Sequence, residues 1–411
     1  LFELNRLYII FHYISHGLSF FGTFSMDTSP LFTPFQLKGI TLKNRFVMPA
    51  MQRGYCVNGK PSPKMEDYFR KRVEGGVALV IGESSAVNHP SSTCQDSAAW
   101  VYGEALEGWA ECIAAVKEAG GHMFLQLWHE GAVRKENAGG PNSEAPTLSP
   151  SGLVQADTPN GRAATLQELI EIKQAFVEGA LAAQAIGADG VEVHSAHGYF
   201  LDLFLWSETN QREDKYGGDL RGRLTYATEI VADIRAAVGP DFIISFRFSQ
   251  WKEVDFEATV VSSPDDLRLL LDVMAAAGVD VFHISTRHML EPAWPELSDL
   301  NLAAWAKSLT DIPVIAVGSV GLDVELMTNL FGEQAKPTGE RGIQALMDNI
   351  GNDEFDLVAV GRALIGDANW IAKIQGSRFS ELKPFNASDM TEADMEWDMD
   401  FVLDAHDKDG I

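Results

Sequence analysis

Thr165-Leu-Gln-Glu168, Ile186-Gly-Ala-Asp-Gly190 and Val191-Glu-Val-His-Ser-Ala196 follow one another in the chain, and their reading decides the fold. The first phrase is a capping box: a threonine N-cap with glutamate three residues on opens a helix. The second closes that helix with glycine near Ile186 and turns the chain. The third is a short Val-rich run, the pattern of a parallel strand covered on both faces. Helix, turn and strand then recur in both directions. Candidate strands are Arg45–Ala50, Ala78–Ser84, His122–Leu127, Gly190–Ala196, Ile243–Ser249, Val281–Thr286, Pro313–Gly318 and Leu357–Gly361. Between them, Ser263 followed by Pro264 reads as an N-cap with proline at the first helical position. Glu118-Ala-Gly-Gly121 and Ala277-Gly-Val-Asp280 end helices as Ile186–Gly190 does. Eight such units predict an α/β protein with a single (β/α)8 TIM barrel. A doubly wound sheet would want a glycine fingerprint after its first strand, and Pro49-Ala-Met-Gln-Arg53 is not one.

The 411 residues fit one large barrel, and 46% hydrophobic with 22% charged residues is an ordinary globular composition. Three cysteines, Cys56, Cys94 and Cys112, are too few and too scattered for a disulfide framework, a zinc ribbon or a four-cysteine iron–sulfur cluster. With 32 basic and 58 acidic residues the net charge is −26, which repels phosphate backbones and excludes nucleic acid as the expected partner. Residues 1–25 are read as a non-native or unstructured extension. Their apolar run from Leu7 to Phe24 also invites a signal-peptide or anchor reading, against which Tyr8, His12, Tyr13 and His16 interrupt it. Residues 26–385 form the barrel. Residues 386–411 are an acidic C-terminal segment, with nine carboxylates against Lys408, and Trp397, Phe401, Val402 and Leu403 suit a docked helix. No stable membrane insertion is expected. The connection from His129 to Ala164, rich in Pro, Gly, Ser and Asn, is long enough to be read as a lid-like loop after strand three.

In such a barrel the chemistry sits where strands end and loops begin. Period-2 counting turns Phe124 and Gln126 inward on the third strand. The fourth offers His194, then His197 and Tyr199; the fifth offers Arg247; the eighth ends in Gly361-Arg362. Each also has a plainer reading. An inward Gln or Arg can simply fill the barrel, and a glycine can simply make a tight turn. His194 and His197 could form a metal pair only if the chain turns between them, and no third ligand is placed beside them, so no metal is expected. Gly318 and Gly361, after strands seven and eight, occupy the usual phosphate-holding positions, and Arg362 would add a charge-assisted contact.

At these residues the chain resembles the Old Yellow Enzyme family of flavin-dependent ene-reductases, the NADH:flavin oxidoreductases, over about Leu31 to Lys373. The resemblance rests on Leu31-Phe-Thr-Pro34, Leu42-Lys-Asn-Arg45, Val191-Glu-Val-His-Ser-Ala-His-Gly-Tyr199, Asn210-Gln-Arg-Glu-Asp-Lys-Tyr-Gly-Gly218, Arg247 and Val360-Gly-Arg362, in this order. It implies non-covalent FMN. Gln126 would bond the flavin pyrimidine edge, and Arg247 would lie where negative charge gathers on reduction. Gly318, Ser319, Gly361 and Arg362 would hold the phosphate, and Pro49, Ala50, Met51 and Ser84 would line the ring system. His194 and His197 would bind the substrate's oxygen, and Tyr199 would donate the proton. The implied activity is ping-pong reduction of the activated C=C bond of an α,β-unsaturated carbonyl compound. NADH or NADPH would donate the hydride, in the cytoplasm, and a homo-oligomer is compatible with the sequence.

Two positions depart from the family pattern. Gln52 stands where relatives usually carry Thr or Cys near the flavin C4 carbonyl, which puts the redox tuning in question. Trp206-Ser207 replaces a frequent Ser-Pro before Asn210, which points to a reshaped loop after strand four. The rival readings are oxidative N-demethylation or nitro reduction on the same barrel, a flavin-free phosphate-sugar isomerase or aldolase barrel, and an inactive barrel kept as a binding module.

Overall fold

The computed structural model describes residues 26–324, 326–330, 333–386 and 389. Residues 1–25, and nearly all of the acidic segment from 386 onward, lie outside the described residues. Eight parallel strands close into a barrel: β1 (Phe46–Met48), β2 (Leu79–Ala86), β3 (His122–Trp128), β4 (Gly190–His197), β5 (Ile243–Lys252), β6 (Val281–Ser285), β7 (Val314–Val317) and β8 (Leu357–Ala359). Each pairs with its sequence neighbours, and β8 pairs with β1 to complete the ring. The outer layer is α1 (Pro63–Glu74), α2 (Ala105–Glu118), α3 (Leu166–Ala185), α4 (Leu220–Val238), α5 (Pro264–Ala277), α6 (Leu302–Leu309), α7 (Gly339–Gly351) and α8 (Trp370–Gln375).

Local chemistry starts these helices. Thr165 accepts from the Glu168 amide and Glu168 reaches back to the Thr165 amide, so the capping box at α3 is complete. Asp219, Ser263 and Asn301 cap α4, α5 and α6 through their side chains. Glu168 is held down to about 2, chiefly by Arg162 and despite its partial burial.

The alternation of each strand divides two cores. Outward residues such as Phe46, Val80, Leu125, Val191, Val193, Ile244, Phe246 and Phe282 pack against the helices. Inward residues Val47, Leu79, Ile81, Phe124, Ile243, Val281, Ile315 and Leu357 form an apolar floor. A hairpin, Phe35–Leu37 with Ile40–Leu42, closes that floor from below with Leu37 and Leu42. Burying a side chain of this size contributes about 1.5–3 kcal/mol. The polar inward residues therefore lie higher, toward the carboxyl ends of the strands.

The connection after β3 is structured. It contains a 3-10 turn (Gly131–Val133), a hairpin of Leu153–Gln155 with Thr158–Pro159, and a parallel pair of Leu148–Ser149 with Arg162–Ala163. Its Ala132, Val133 and Val154 pack with Trp128, Tyr199 and Trp206. No helix among the described residues is long and apolar enough to cross a membrane.

Candidate active site

Parallel register places Gln126 beside Glu192 and Glu192 beside Ser245, one layer above the apolar floor. All three are fully buried, as is His283 on β6. Glu192 binds the layer together. One of its oxygens accepts from Gln126 Nε2 at 2.8 Å. The other takes Ser245 Oγ at 2.9 Å and His283 Nδ1 at 2.8 Å. Ser84 Oγ donates to Gln126 Oε1 at 2.6 Å. Burial alone would push Glu192 up, but the charge and hydrogen bond of His283, then the charge of Arg247 and the Gln126 donor, outweigh it and hold it down to about 2. Burial pushes His283 below its ordinary value despite Glu192, so it is neutral and gives its Nδ1 proton to the carboxylate.

The next layer carries His194, Arg247 and Ser285. His197 has a left-handed backbone, φ 66°, and Gly198 follows at φ 89°. That turn breaks the strand's alternation, so His194 and His197 face one another with ring centroids 5.3 Å apart. The His197 amide donates to Ser249 Oγ at 2.9 Å, and His197 Nε2 meets Ser285 Oγ at 2.8 Å. Arg247 also donates to Ser285 Oγ, at 3.4 Å. Ser285 Oγ thus links the guanidinium to the imidazole, and its hydroxyl can either donate to His197 Nε2 or accept from it. Burial and then Arg247 depress both histidines, His194 to about 3, so both are neutral donors near pH 7.

Tyr199 caps the short helix Phe200–Leu205 and is itself buried. Its ring lies 5.2 Å from His194 and meets Trp128 edge-on at 5.4 Å. Its hydroxyl lies 3.3 and 3.2 Å from the two oxygens of Glu253. Beneath this turn is a fully buried ion pair, Lys252 with Asp202, at 2.7 Å. Asp202 also accepts from the Gly198 amide at 2.7 Å, which fixes the turn that carries His197 and Tyr199. Trp206 is buried beside this pair, with the Lys252 ammonium 6.0 Å over its ring.

A third corner gathers Gly318, Ser319, Gly361 and Arg362. Arg362 donates to Ser319 Oγ at 3.1 Å, to Asn329 Oδ1 at 3.1 Å and to the Val324 carbonyl at 2.7 Å. A Cβ at Gly318 would meet Thr286 Oγ1 at 2.5 Å and the Thr286 carbonyl at 2.7 Å, so only glycine fits. A Cβ at Gly361 would lie 3.4 Å from Met51 Sδ and 3.8 Å from Pro49, which puts the Pro49–Met51 stretch beside β8. Ala50 and Gln52 are partly exposed, and Gln52 Nε2 is buried without a hydrogen-bond partner. So is Arg247 Nε.

The structure thus brings His194, His197, Tyr199 and Arg247 together, Ser84 with Gln126, and Ser319 with Arg362. Sequence reading missed Glu192, Ser245, His283, Ser285 and Glu253. The first four were within reach: the alternation that turns Gln126 inward does the same for them. Glu253 lies one residue beyond β5, where alternation carries no signal.

A closed parallel barrel with its polar layers at the carboxyl ends of the strands is the architecture of a TIM-barrel enzyme. Residues 30–335 match the NADH:flavin oxidoreductase / NADH oxidase family, and the chain belongs to that family, the Old Yellow Enzyme family of FMN oxidoreductases. It is 31% identical over 370 residues to an NADH oxidase of Thermoanaerobacter brockii, covering 86% of this chain and 52% of that protein. The chain thus spans about half the length of that relative. It is 28% identical over 281 residues to 12-oxophytodienoate reductase 2 of Arabidopsis thaliana, covering 66% and 73% of the two. In fold it is similar to morphinone reductase in complex with tetrahydroNAD, with a TM-score of 0.72, 22% identity, and 89% and 95% of the two chains covered.

Proposed function

We propose that this protein is an FMN-dependent, NAD(P)H-consuming reductase of α,β-unsaturated carbonyl compounds. The observation that carries the reading is the pair of neutral, buried histidines 5.3 Å apart with Tyr199 beside them. Two neighbouring imidazoles, each able to donate an N–H, suit a carbonyl oxygen that gains negative charge in the transition state. A tyrosine alongside suits protonation of the neighbouring carbon.

The residues present fit FMN. Gln52 Nε2 and Arg247 Nε are buried donors without partners, the chemistry a flavin's carbonyl and nitrogen acceptors require. Gly318, packed closely against Thr286, and Gly361 would hold a phosphate together with Ser319 and Arg362, whose side chains already meet. Ser84 and Gln126 would meet the pyrimidine edge, and Pro49, Ala50 and Met51 would line the ring. FMN, when bound, supplies hydride taken from the nicotinamide. The chain's own part is to polarise the substrate oxygen through His194 and His197 and to deliver a proton from Tyr199 Oη. Glu192 keeps Gln126 in one amide orientation and balances Arg247.

The experiment is a spectrum followed by a substrate panel. Purified protein should be yellow and release a flavin with one phosphate on heating. It should reduce 2-cyclohexenone faster than it reduces nitroarenes or demethylates N-methylamines, with NADH and NADPH compared directly. A protein that stays colourless after incubation with FMN would overturn the reading.

A further inference from the structure

The two histidines are held differently, and the difference reaches their ring nitrogens. His194 Nδ1 is sealed from the cavity and has no hydrogen-bond partner among the described residues. The nitrogen His194 can offer to a ligand is therefore Nε2. His197 is the reverse. Its Nε2 is engaged by Ser285 Oγ at 2.8 Å. Its amide donates to Ser249 Oγ, whose own proton goes to the Trp251 carbonyl at 2.6 Å. The Trp251 ring lies 4.6 Å from the imidazole at 31° and covers one of its faces. The nitrogen left to a ligand is Nδ1, which is not closed off as His194 Nδ1 is. For His197 to donate there, its single neutral-state proton must sit on Nδ1 and Nε2 must accept.

Ser285 decides between the two nitrogens. It is 2% exposed, and its hydroxyl has two partners among the described residues, His197 Nε2 and Arg247 Nη2. A guanidinium only donates. Were Nε2 to donate as well, the serine proton would be buried with no acceptor among those residues, at the desolvation cost of that group. A flip of the imidazole would put carbon against the hydroxyl, with the same result. One assignment uses every group. The guanidinium donates to Oγ, Oγ–H donates to Nε2, and the imidazole proton stays on Nδ1.

We propose that Ser285 is the positioning residue that sets the His197 tautomer, so that the substrate's oxygen meets Nε2 of one histidine and Nδ1–H of the other. The inference rests on the reading of the pair as the oxygen-binding group. Ser285 acts through His197 and is not itself a donor to the substrate. The chain of donors starts at a cation and ends at the ligand: Arg247 to Ser285, Ser285 to His197, His197 to the oxygen. Each bond polarises the next, so the last N–H is a better donor to an oxygen that carries or gains negative charge. The ligands that profit are carbonyls passing to enolates, and phenolates, rather than neutral ethers or amines.

The test reads the ring nitrogens directly. FMN-loaded protein with isotope-labelled histidine is followed by long-range proton–nitrogen correlation at about pH 8, where a histidine of ordinary pKa is also neutral. Protonated and bare ring nitrogens resonate far apart, and the His197 signals are assigned by their loss in His197→Gln. Wild type should show the His197 proton on Nδ1 and none on Nε2. Ser285→Ala should move it wholly or partly to Nε2 and weaken 4-chlorophenol binding about three- to tenfold, read by flavin absorbance. Ser285→Thr keeps the hydroxyl and should restore both. A wild-type proton on Nε2 overturns the proposal without recourse to any Ser285 variant. So does a tautomer that Ser285→Ala leaves unchanged, or a Ser285→Thr protein that behaves as Ser285→Ala does. If the phenol does not bind wild type, the oxygen-binding reading fails, and the nitrogen shifts still decide the tautomer.

Discussion

Replacing Lys252 with Met removes the cation from a pair that has no access to water. Both side chains of the Lys252–Asp202 pair are 0% exposed, 2.7 Å apart, and Lys252 also donates to the Ser249 carbonyl at 3.2 Å. Asp202 would keep only the Gly198 amide. Breaking a buried pair from one side costs about 3–5 kcal/mol, because a lone charge is left in low dielectric. Burial already pushes Asp202 up even with Lys252 beside it. Without Lys252 it should rise further and take up a proton. The sign follows from linkage: with the folded pKa above the unfolded one, stability is greatest below the unfolded value and is lost as pH rises through the folded value. Lys252→Met should therefore unfold at much lower urea than wild type, and the deficit should shrink on going from about pH 8 to pH 5. Asp202→Asn added to Lys252→Met should recover much of the loss, since its carbonyl still accepts from Gly198 and no charge remains. Urea unfolding by circular dichroism at both pH values measures this. A single-variant cost below about 1 kcal/mol, or a double variant no better than the single, would refute the reasoning.

Burial holds His194 at about 3, so between that value and about 6.5 the unfolded chain binds a proton that the folded chain does not. Stability should fall by about 1.4 kcal/mol per unit as pH drops through that window, and His194→Asn should flatten the dependence measured by urea midpoints. His194→Ala should weaken phenol and enone binding by about 1.5–3 kcal/mol, read by flavin absorbance titration. Gln52→Ala should lower the flavin midpoint by about 20 mV, corresponding to about 1 kcal/mol for one lost hydrogen bond, and Gln52→Thr should restore part of it; three equal potentials would show that Gln52 has no redox role. Gly318→Ala, crowded by Thr286, should cost about 1–3 kcal/mol and weaken FMN retention, measured by fluorescence of released flavin.

The barrel was legible because its strands are continuous apolar runs and its helices announce themselves. Thr165, Ser263 and Gly278 stand where caps are needed, and the structure uses each as a cap. Strand limits shifted where pairing outlasts hydrophobicity: β5 runs on through Gln250, Trp251 and Lys252, beyond the expected Ser249. The small sheet after β3 was invisible because two-residue pairings leave no period to read. Within the site, alternation exposes residues that sit on strands. It is silent on Asp202 with Lys252, or Tyr199 with Glu253, because partners some 50 residues apart meet only once β4 and β5 have paired.

The pairing of β8 with β1 also bears on how the chain reaches this state. Arg45, at the foot of β1, donates to the carbonyl of Asp356 at the foot of β8, 311 residues away. Contacts of such separation slow folding, since the loop must be closed before any bond rewards it. During synthesis β1 emerges early and waits, one edge unpaired, until β8 leaves the ribosome. An unpaired edge of this kind is a template for wrong partners. At three residues, Phe46 to Met48, β1 is as short as β8, and its brevity limits what can add to it in the meantime.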